Sequence, residues 1–198
     1  MTWCCDHADW TQDNWREVLW TDESRFTLDF FDGRLRVLRM PRERYADCCI
    51  AEHDRYGGGS VMVWAGMWHG GRTAAIIIEG SLNAEGYKEK IVSPIVVPTV
   101  QDNGLIFQDD NAPPHRGISV KNFIARSGIR TLPWPSRSPD LSPIEHAWDE
   151  LGRRVRCCDT QPPSTLKELA KRLQEQWTLL SQFFLDSLCD SMPERIAA

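Results

Sequence analysis

Three carboxylates stand where their surroundings could give them a chemical role. Each follows an apolar or proline-containing run: Asp22 follows Val18-Leu-Trp-Thr, Asp110 follows Leu105-Ile-Phe-Gln-Asp, and Glu145 follows Ser142-Pro-Ile. Acids at the ends of buried strands, joined by an acid at the start of a helix, gather at one edge of a sheet. Gathered carboxylates bind hard divalent cations, and such cations promote phosphoryl-transfer chemistry.

Every one of these acids also has a purely structural explanation. Asp22 could begin a turn, and Asp110 could form a turn with Asn111 before two prolines. The spacing from Ser142 to Glu145 is that of a capping box with a proline at the first helical position. On spacing alone the structural explanations are favoured, although they do not exclude metal binding.

The size and composition of the chain indicate one globular domain. Its 198 residues can bury a sizeable core, and a hydrophobic content of 41% with a charged content of 26% is ordinary for such proteins. No run of about 18 apolar residues is present, so we expect no membrane span. The first residues lack the apolar core of a signal peptide.

The charge balance is unusual for a free-standing DNA-binding protein. The net charge is −5 and the pI is near 5.5, whereas a phosphate-facing surface is basic. Arginines nevertheless cluster in two segments. The candidate phosphate contacts are Arg34, Arg36, Arg39, Arg42 and Arg44 in the first segment, with Arg153 and Arg154 in the second. For any single arginine, a solvated basic surface is the alternative explanation.

Seven cysteines are present, six of them in adjacent pairs. An odd number without a secretion signal favours a reducing compartment and free thiols. The alternative is a zinc site formed by Cys48, Cys49 and His53. Adjacent cysteines lack the two-residue gap that is usual in zinc-binding turns, so free thiols are the preferred interpretation.

The first half of the chain shows the pattern of antiparallel strands. Apolar residues alternate over residues 26–30 before the hairpin signal Asp32-Gly33. A second hairpin is predicted at Gly70-Gly71, between the apolar runs of residues 61–65 and 74–78.

The second half alternates between helices and strands. Asn83 predicts the start of a helix that extends to roughly Val97, and Leu105-Ile-Phe-Gln predicts a buried strand of parallel type. A helix that ends at Gly128 and a strand over residues 129–132 come next.

Two amphipathic helices follow the proline-rich loop of residues 133–143. The apolar face of the first consists of Ile144, Trp148, Leu151 and Val155; that of the second, which starts with a Thr165–Glu168 capping box, consists of Leu166, Leu169, Leu173, Trp177 and Leu180. This order predicts an α/β domain with a mixed sheet, antiparallel strands first and parallel strands second, flanked by helices and ending in C-terminal helices.

Four segments resemble the catalytic domain of Tc/mariner DNA transposases, members of the Asp-Asp-Glu transposase and integrase group. They are Trp20-Thr-Asp-Glu-Ser-Arg-Phe26, Gly58-Gly-Ser-Val-Met-Val-Trp64, Phe107-Gln-Asp-Asp-Asn-Ala-Pro-Pro114 and Leu132-Pro-Trp-Pro-Ser-Arg-Ser-Pro-Asp-Leu-Ser-Pro-Ile-Glu-His146. The likeness covers nearly the whole chain. It implies a ribonuclease H-like fold in which Asp22, Asp110 and Glu145 are both the catalytic residues and the metal ligands.

The resemblance also implies an activity and its partners. The activity would be metal-dependent cleavage of DNA phosphodiester bonds and strand transfer, in cut-and-paste transposition and integration, with two Mg²⁺ or Mn²⁺ ions. The partners would be transposon-end and target DNA and a second copy of the chain. We expect the nucleus as the location, with no membrane association and no small-molecule cofactor.

Further site residues follow from the family pattern. Its catalytic aspartate directly precedes the asparagine, which favours Asp110 over the adjacent Asp109. Asn111, His115 and His146 are candidates to position water or a phosphate, although a histidine here could also be a plain hydrogen-bonding partner. The arginines at positions 34–44 would lie in a loop that grips DNA or a partner, and Trp64, Trp134 and Trp148 are expected to serve packing.

The resemblance divides the chain into three parts. We assign residues 1–17 to a linker remnant, 18–160 to the ribonuclease H-like catalytic domain and 161–198 to a C-terminal helical extension. Family members carry helix-turn-helix modules ahead of the catalytic domain, and residues 1–17 cannot form them. The chain would then be a fragment, a decayed copy or a domesticated domain. The alternative functions are a catalytically silent remnant that binds DNA or protein, and a generic nuclease that cleaves RNA–DNA hybrids.

Overall fold

The computed structural model describes residues 2–28, 59–135, 138–157 and 162–197. Within these ranges a mixed six-stranded sheet lies between helices on both faces. Its strands are β1 (Val18–Thr27), β2 (Ser60–Trp68), β3 (Gly71–Arg72), β4 (Ile76–Ile78), β5 (Ile106–Gln108) and β6 (Arg130–Leu132). The order is β3-β2-β1-β5-β6, with β4 also paired to β2.

The antiparallel half of the sheet is built on β1 and β2. The apolar run at residue 18 and the alternation that begins near residue 26 belong to one strand, so Asp22 lies in the middle of β1, opposite Ala65 of β2. The second predicted hairpin is confirmed, because β2 turns through Gly70 (φ 93°) into β3. The hairpin predicted at Asp32-Gly33 lies outside the described residues.

The parallel half follows the predicted order closely. β5 pairs in parallel with β1 on one side and with β6 on the other. The helix α5 (Ile118–Ser127) connects β5 to β6 and ends at Gly128, whose φ of 67° is the left-handed conformation that glycine adopts most easily. Because β5 pairs in parallel with the first residues of β1, the end of β5 at Gln108 lies beside Trp20 of β1, two residues before Asp22.

The helix that begins after Asn83 is longer than the sequence predicts. Asn83 caps α3 (Ala84–Tyr87) by accepting a hydrogen bond from the Gly86 N–H, as expected. The predicted end near Val97 is wrong, because a π-helical segment (Lys88–Val96) contains Pro94 and continues into α4 (Val97–Asn103). The π-helical ladder is already displaced from i→i+4 pairing, which accommodates the proline.

Four helices form the C-terminal part: α6 (Ile144–Cys157), α7 (Leu166–Leu179), α8 (Gln182–Asp190) and α9 (Met192–Ala197). The capping box of α7 is only half formed. Thr165 accepts from the Glu168 N–H, but the Glu168 carboxylate accepts from the Ser164 N–H and hydroxyl instead of from Thr165. Leu166, predicted for the packed face, is 38% exposed, because it stands at the first position of the helix.

The core consists of two apolar clusters, one on each face of the sheet. One packs the C-terminal helices against β1 and β2, and the other packs α3 to α5 and the π-helical segment against the opposite face. The short helices α1 (Thr2–Asp6) and α2 (Gln12–Arg16) join the first cluster through the fully buried Trp15. The division of the chain at residues 17 and 160 remains a prediction. None of the described helices is both long enough and apolar enough to cross a membrane.

Candidate active site

Strand pairing brings two of the predicted acids to the same level of the sheet. Trp20 of β1 stands opposite Gln108 of β5, so Asp22 and Asp110 each lie two residues further along. Glu145 is the second residue of α6, a helix that contacts β1. The three acids therefore come from a strand, the loop after its parallel neighbour and a helix start.

All three acids line one cleft of about 100 Å³. The remaining lining residues are Thr21, Gln108, Trp134, Pro135, Ser138, Pro139 and Ser142. Thr21 joins the two strands here, because its N–H donates to Gln108 Oε1 (3.2 Å) and its hydroxyl donates to the Gln108 carbonyl (2.8 Å). None of the described residues that line the cleft carries a positive charge.

The Asp22 carboxyl is strongly perturbed. Burial, reinforced by the negative charges of Glu145 and Glu23, raises its pKa to about 8. One contact works in the opposite direction, since the Trp148 indole N–H donates to Oδ2 at 3.0 Å. In the absence of a cation, Asp22 therefore holds a proton at neutral pH.

The Asp110 carboxylate is stabilised in its ionised form. Burial alone would raise its pKa, but His115 and the backbone N–H of Ala112 outweigh burial and hold the pKa below its ordinary value. Ala112 donates to Oδ1 at 2.8 Å. His115 Nδ1 lies 2.9 Å from the same Oδ1 without the alignment of a hydrogen bond, so the contact is an ion pair.

The Glu145 carboxyl, like that of Asp22, is pushed toward its neutral form. Burial raises its pKa, and the negative charges of Asp149, Asp110 and Asp140 act in the same direction. The capping box predicted from Ser142 does not form among the described residues, where the buried Ser142 hydroxyl has no hydrogen-bond partner. The Glu145 N–H instead lies 3.4 Å from the Ser142 carbonyl.

His115 is held in the interior beside these acids. It is 5% exposed, and its ring stacks on the buried ring of Tyr87 with centroids 4.0 Å apart. Burial would lower its pKa, yet the contacts with Asp109, Asp110 and Glu23 outweigh burial and raise the pKa to about 11. The imidazole is therefore a cation at neutral pH.

The adjacent acid Asp109 has a different task. The strand has ended at Gln108, so alternation no longer separates the two aspartates. Asp109 Oδ1 accepts from the Asn111 N–H at 2.8 Å, and the Asn111 amide donates to the Trp134 carbonyl at 3.0 Å. Asn111 has φ 60°, so these bonds hold a left-handed turn that aims the loop.

The weaker site predictions have different outcomes. His146 is exposed and does not line the cleft. Arg153 and Arg154 lie on α6 and both pair with Glu150, and Arg154 also donates to the Leu179 carbonyl. The arginines at positions 34–44 lie outside the described residues, as does the alternative zinc site at positions 48–53.

Two contributors were missed by the sequence reasoning. The sequence predicts a packing role for Trp148, but its indole N–H also donates to the Asp22 carboxylate. The sequence gives Glu23 no role, yet its Oε1 lies 3.2 Å from Nε2 of His115. For Trp148 a signal existed, because it stands one helical turn after Glu145 and thus on the same side of α6.

Among the described residues, one group combines metal-ligand composition with closely spaced ligand atoms. Atoms of Glu23, Asp110 and His115 lie within 4.8 Å of one another. The imidazole, however, meets the two acids through different nitrogens, Nε2 for Glu23 and Nδ1 for Asp110. A chelate needs one nitrogen and both carboxylates directed at a common centre, so this arrangement is an ion-pair bridge.

The cleft has the donor set of a hard-cation site. Asp22, Asp110 and Glu145 supply oxygen ligands only, which is the donor set that Mg²⁺ and Mn²⁺ prefer. The pKa values of Asp22 and Glu145 are raised mainly by burial and further by neighbouring negative charges, and a bound cation would oppose both effects.

Comparison with known proteins places this arrangement in a family. The model of the family described as DDE superfamily endonuclease matches residues 17–170. The Tc1 transposase of Caenorhabditis elegans is 33% identical over 201 residues, which cover 100% of this chain and 72% of that protein. The Tcb2 transposase of Caenorhabditis briggsae is 31% identical over 198 residues, which cover 98% of this chain and 71% of that protein.

Solved structures agree on the fold. The Mos1 strand transfer complex has a TM-score of 0.76 at 19% identity, covering 98% of this chain and 57% of that one. The Mos1 transposase catalytic domain with Raltegravir and Mg has a TM-score of 0.71 at 18% identity, and the match covers 98% of this chain and 88% of that one. These likenesses confirm the ribonuclease H-like mixed sheet. The chain belongs to the DDE superfamily endonuclease family and is a transposase catalytic domain of the Tc/mariner type.

Proposed function

We propose that Asp22, Asp110 and Glu145 are the catalytic residues of this domain and hold two divalent cations, Mg²⁺ or Mn²⁺. The observation that carries the proposal is that the three side chains line one cleft that has no positive charge among its described residues. When bound, the cations would neutralise the scissile phosphate and favour attack by water or a 3′-hydroxyl.

The residues of the chain contribute position and charge. Asp110 is ionised in the absence of a cation, whereas Asp22, with its pKa near 8, would release a proton when a cation binds. The pKa of Glu145 is also raised, so a cation would favour its ionised form. Asp22 lies on β1, and Asp110 lies two residues after the end of the neighbouring parallel strand β5, where the Ala112 N–H binds its carboxylate. Glu145 is longer and reaches the cleft from α6.

The substrate in this proposal is DNA, cut at transposon ends and joined to a target. Support comes from the Mos1 relatives, which were solved as a paired-end complex with a left transposon end and as a strand transfer complex. A homodimer and a location in the nucleus belong to the same proposal. Arg153 and the arginines at positions 34–44 remain candidates for phosphate contacts.

A plasmid-nicking assay tests the proposal. Purified chain and supercoiled DNA are incubated with Mn²⁺, and open-circle product is measured for Asp110→Asn, Glu145→Gln and the matched control Asp109→Asn. Loss of a residue that acts as part of a catalytic unit lowers the rate by several orders of magnitude. We expect nicking to vanish in the first two variants and to persist in the control. Equal nicking by Asp110→Asn and wild type would overturn the assignment.

A further inference from the structure

Three charged groups contact one another in series beside the cleft: Glu23, the buried His115 and the partly exposed Asp110. Glu23 follows Asp22 on β1, so its side chain points to the opposite face of the sheet. There its Oε1 meets Nε2 of His115 at 3.2 Å, and Nδ1 of His115 meets Asp110 Oδ1 at 2.9 Å. Neither Glu23 nor His115 lines the cleft that holds the three acids.

The ring at the centre of this series has little freedom to move. His115 is 5% exposed and lies against the fully buried Tyr87, with the two ring centroids 4.0 Å apart. Glu23 has only 14% of its side chain exposed and fixes the other ring nitrogen. A ring fixed by stacking and by an ion pair presents Nδ1 from a defined direction.

The contacts on Asp110 are one-sided. Nδ1 of His115 and the N–H of Ala112 both approach Oδ1, at 2.9 and 2.8 Å. Oδ2 has no such contact among the described residues, and Asp110 lines the cleft. The carboxylate is therefore held by one oxygen, which leaves the other oxygen for a cation.

We infer that Glu23 and His115 are positioning residues of the metal centre: Glu23 orients the imidazole, and the imidazole fixes the carboxylate of Asp110 so that Oδ2 faces the cleft. The inference rests on the proposed function, since it presupposes that Asp110 binds a cation. Partners behind metal ligands typically change metal affinity by about 10–100-fold when they are removed.

For the variant His115→Phe, electrostatics alone predicts tighter cation binding, whereas loss of positioning predicts weaker binding. His115→Phe keeps an aromatic ring against Tyr87 but removes a positive charge beside Asp110. Removing that charge would tighten the binding of a cation if charge alone mattered. Loss of positioning weakens binding instead, so the sign of the change separates the two effects.

The experiment is calorimetric titration of the full chain with Mn²⁺. We expect His115→Phe and Glu23→Gln each to weaken binding on the order of tenfold, within the range usual for such partners. Because Glu23 acts through the imidazole, Glu23→Gln should have no further effect in the His115→Phe background. Unchanged or tighter binding by His115→Phe, or additive effects in the double variant, would overturn the inference.

Two additional measurements keep the test decisive. His115→Phe leaves Glu23 buried without its partner, so if that variant does not fold, the double variant decides. The double variant removes one positive and one negative charge. Charge alone then predicts an unchanged Mn²⁺ affinity, whereas loss of positioning predicts a lower one. Spin-echo modulation of the Mn²⁺-loaded protein is the second measurement. Coupling to a histidine nitrogen that disappears in His115→Phe would make His115 a ligand and overturn the positioning role.

The variant Asp110→Asn separates this inference from the proposed function. If Asp110→Asn binds Mn²⁺ as well as wild type does, the metal centre itself is misassigned. If Asp110→Asn weakens binding and His115→Phe does not, only the positioning role fails.

Discussion

Replacing Asp22 with asparagine should stabilise the metal-free fold. The pKa of Asp22 is raised from 3.8 to about 8, mainly by burial and by the charges of Glu145 and Glu23. Below about pH 4 the carboxyl is protonated in the folded and unfolded chain alike, and it has no effect on stability. Between about pH 4 and 8 the unfolded chain loses this proton and the folded chain keeps it, so stability falls as pH rises. Above about pH 8 the carboxyl is ionised in both states, and the loss of stability no longer changes with pH.

The magnitude follows from the size of the pKa difference. At pH 7 the difference acts over about three pH units, and at about 1.4 kcal/mol per unit the loss is about 4 kcal/mol. That is a large share of the roughly 5–15 kcal/mol that stabilises a typical domain. The asparagine side chain of the variant would carry no charge, and its amide oxygen could still accept from the Trp148 indole.

Urea unfolding in EDTA between pH 4.5 and 8 measures this effect. We expect Asp22→Asn to exceed wild type in free energy of unfolding by an amount that grows with pH, while the exposed control Asp102→Asn stays level with wild type. Saturating Mg²⁺ should narrow the gap, because a ligand that binds only the folded state stabilises wild type. The reasoning would be refuted if Asp22→Asn were less stable than wild type at pH 8, or if the difference in free energy of unfolding did not change with pH.

Three other outcomes test separate parts of the structure. Trp148→Phe removes the N–H donor to Asp22 while keeping a ring against Phe26 and Trp177. We expect the Mn²⁺ affinity, measured by calorimetry, to fall severalfold. An unaltered affinity would assign Trp148 to packing alone. Leu173→Ala should cost about 2–5 kcal/mol in urea unfolding, because Leu173 is fully buried, whereas the matched change at Leu179, which is 64% exposed, should cost little; equal losses would contradict the packing of α7. Gly117→Ala should cost about 1–3 kcal/mol, because a Cβ there would stand 2.5 Å from that of Ala84; a melting temperature equal to that of wild type would show that α3 and α5 can separate.

Much of the fold was accessible from the sequence because local signals and tertiary packing agree. The apolar face of α6, the end of α5 at Gly128 and the cap at Asn83 all lie where the pattern puts them. Only the end of the helix after Asn83 escaped prediction, since periodicity does not reveal that a π-helical segment accommodates Pro94 and continues into α4.

The site was accessible in part for a related reason. Acids in distinctive motifs can be picked out by type, and parallel pairing of β1 with β5 then explains how Asp22 and Asp110 meet. Contacts such as Glu23 with His115 join positions 92 residues apart and leave no local pattern. The half-formed cap at Thr165 shows the same limit, because the competing donor Ser164 can be recognised only in three dimensions.

Diffraction from crystals soaked in Mn²⁺, recorded at the manganese absorption edge, tests most directly whether the three acids form one cation-binding centre. We predict anomalous density in the cleft within bonding distance of carboxylate oxygens of Asp22, Asp110 and Glu145. Density confined to other surfaces, or none at a concentration that supports nicking, would contradict the assignment of these acids as the metal ligands.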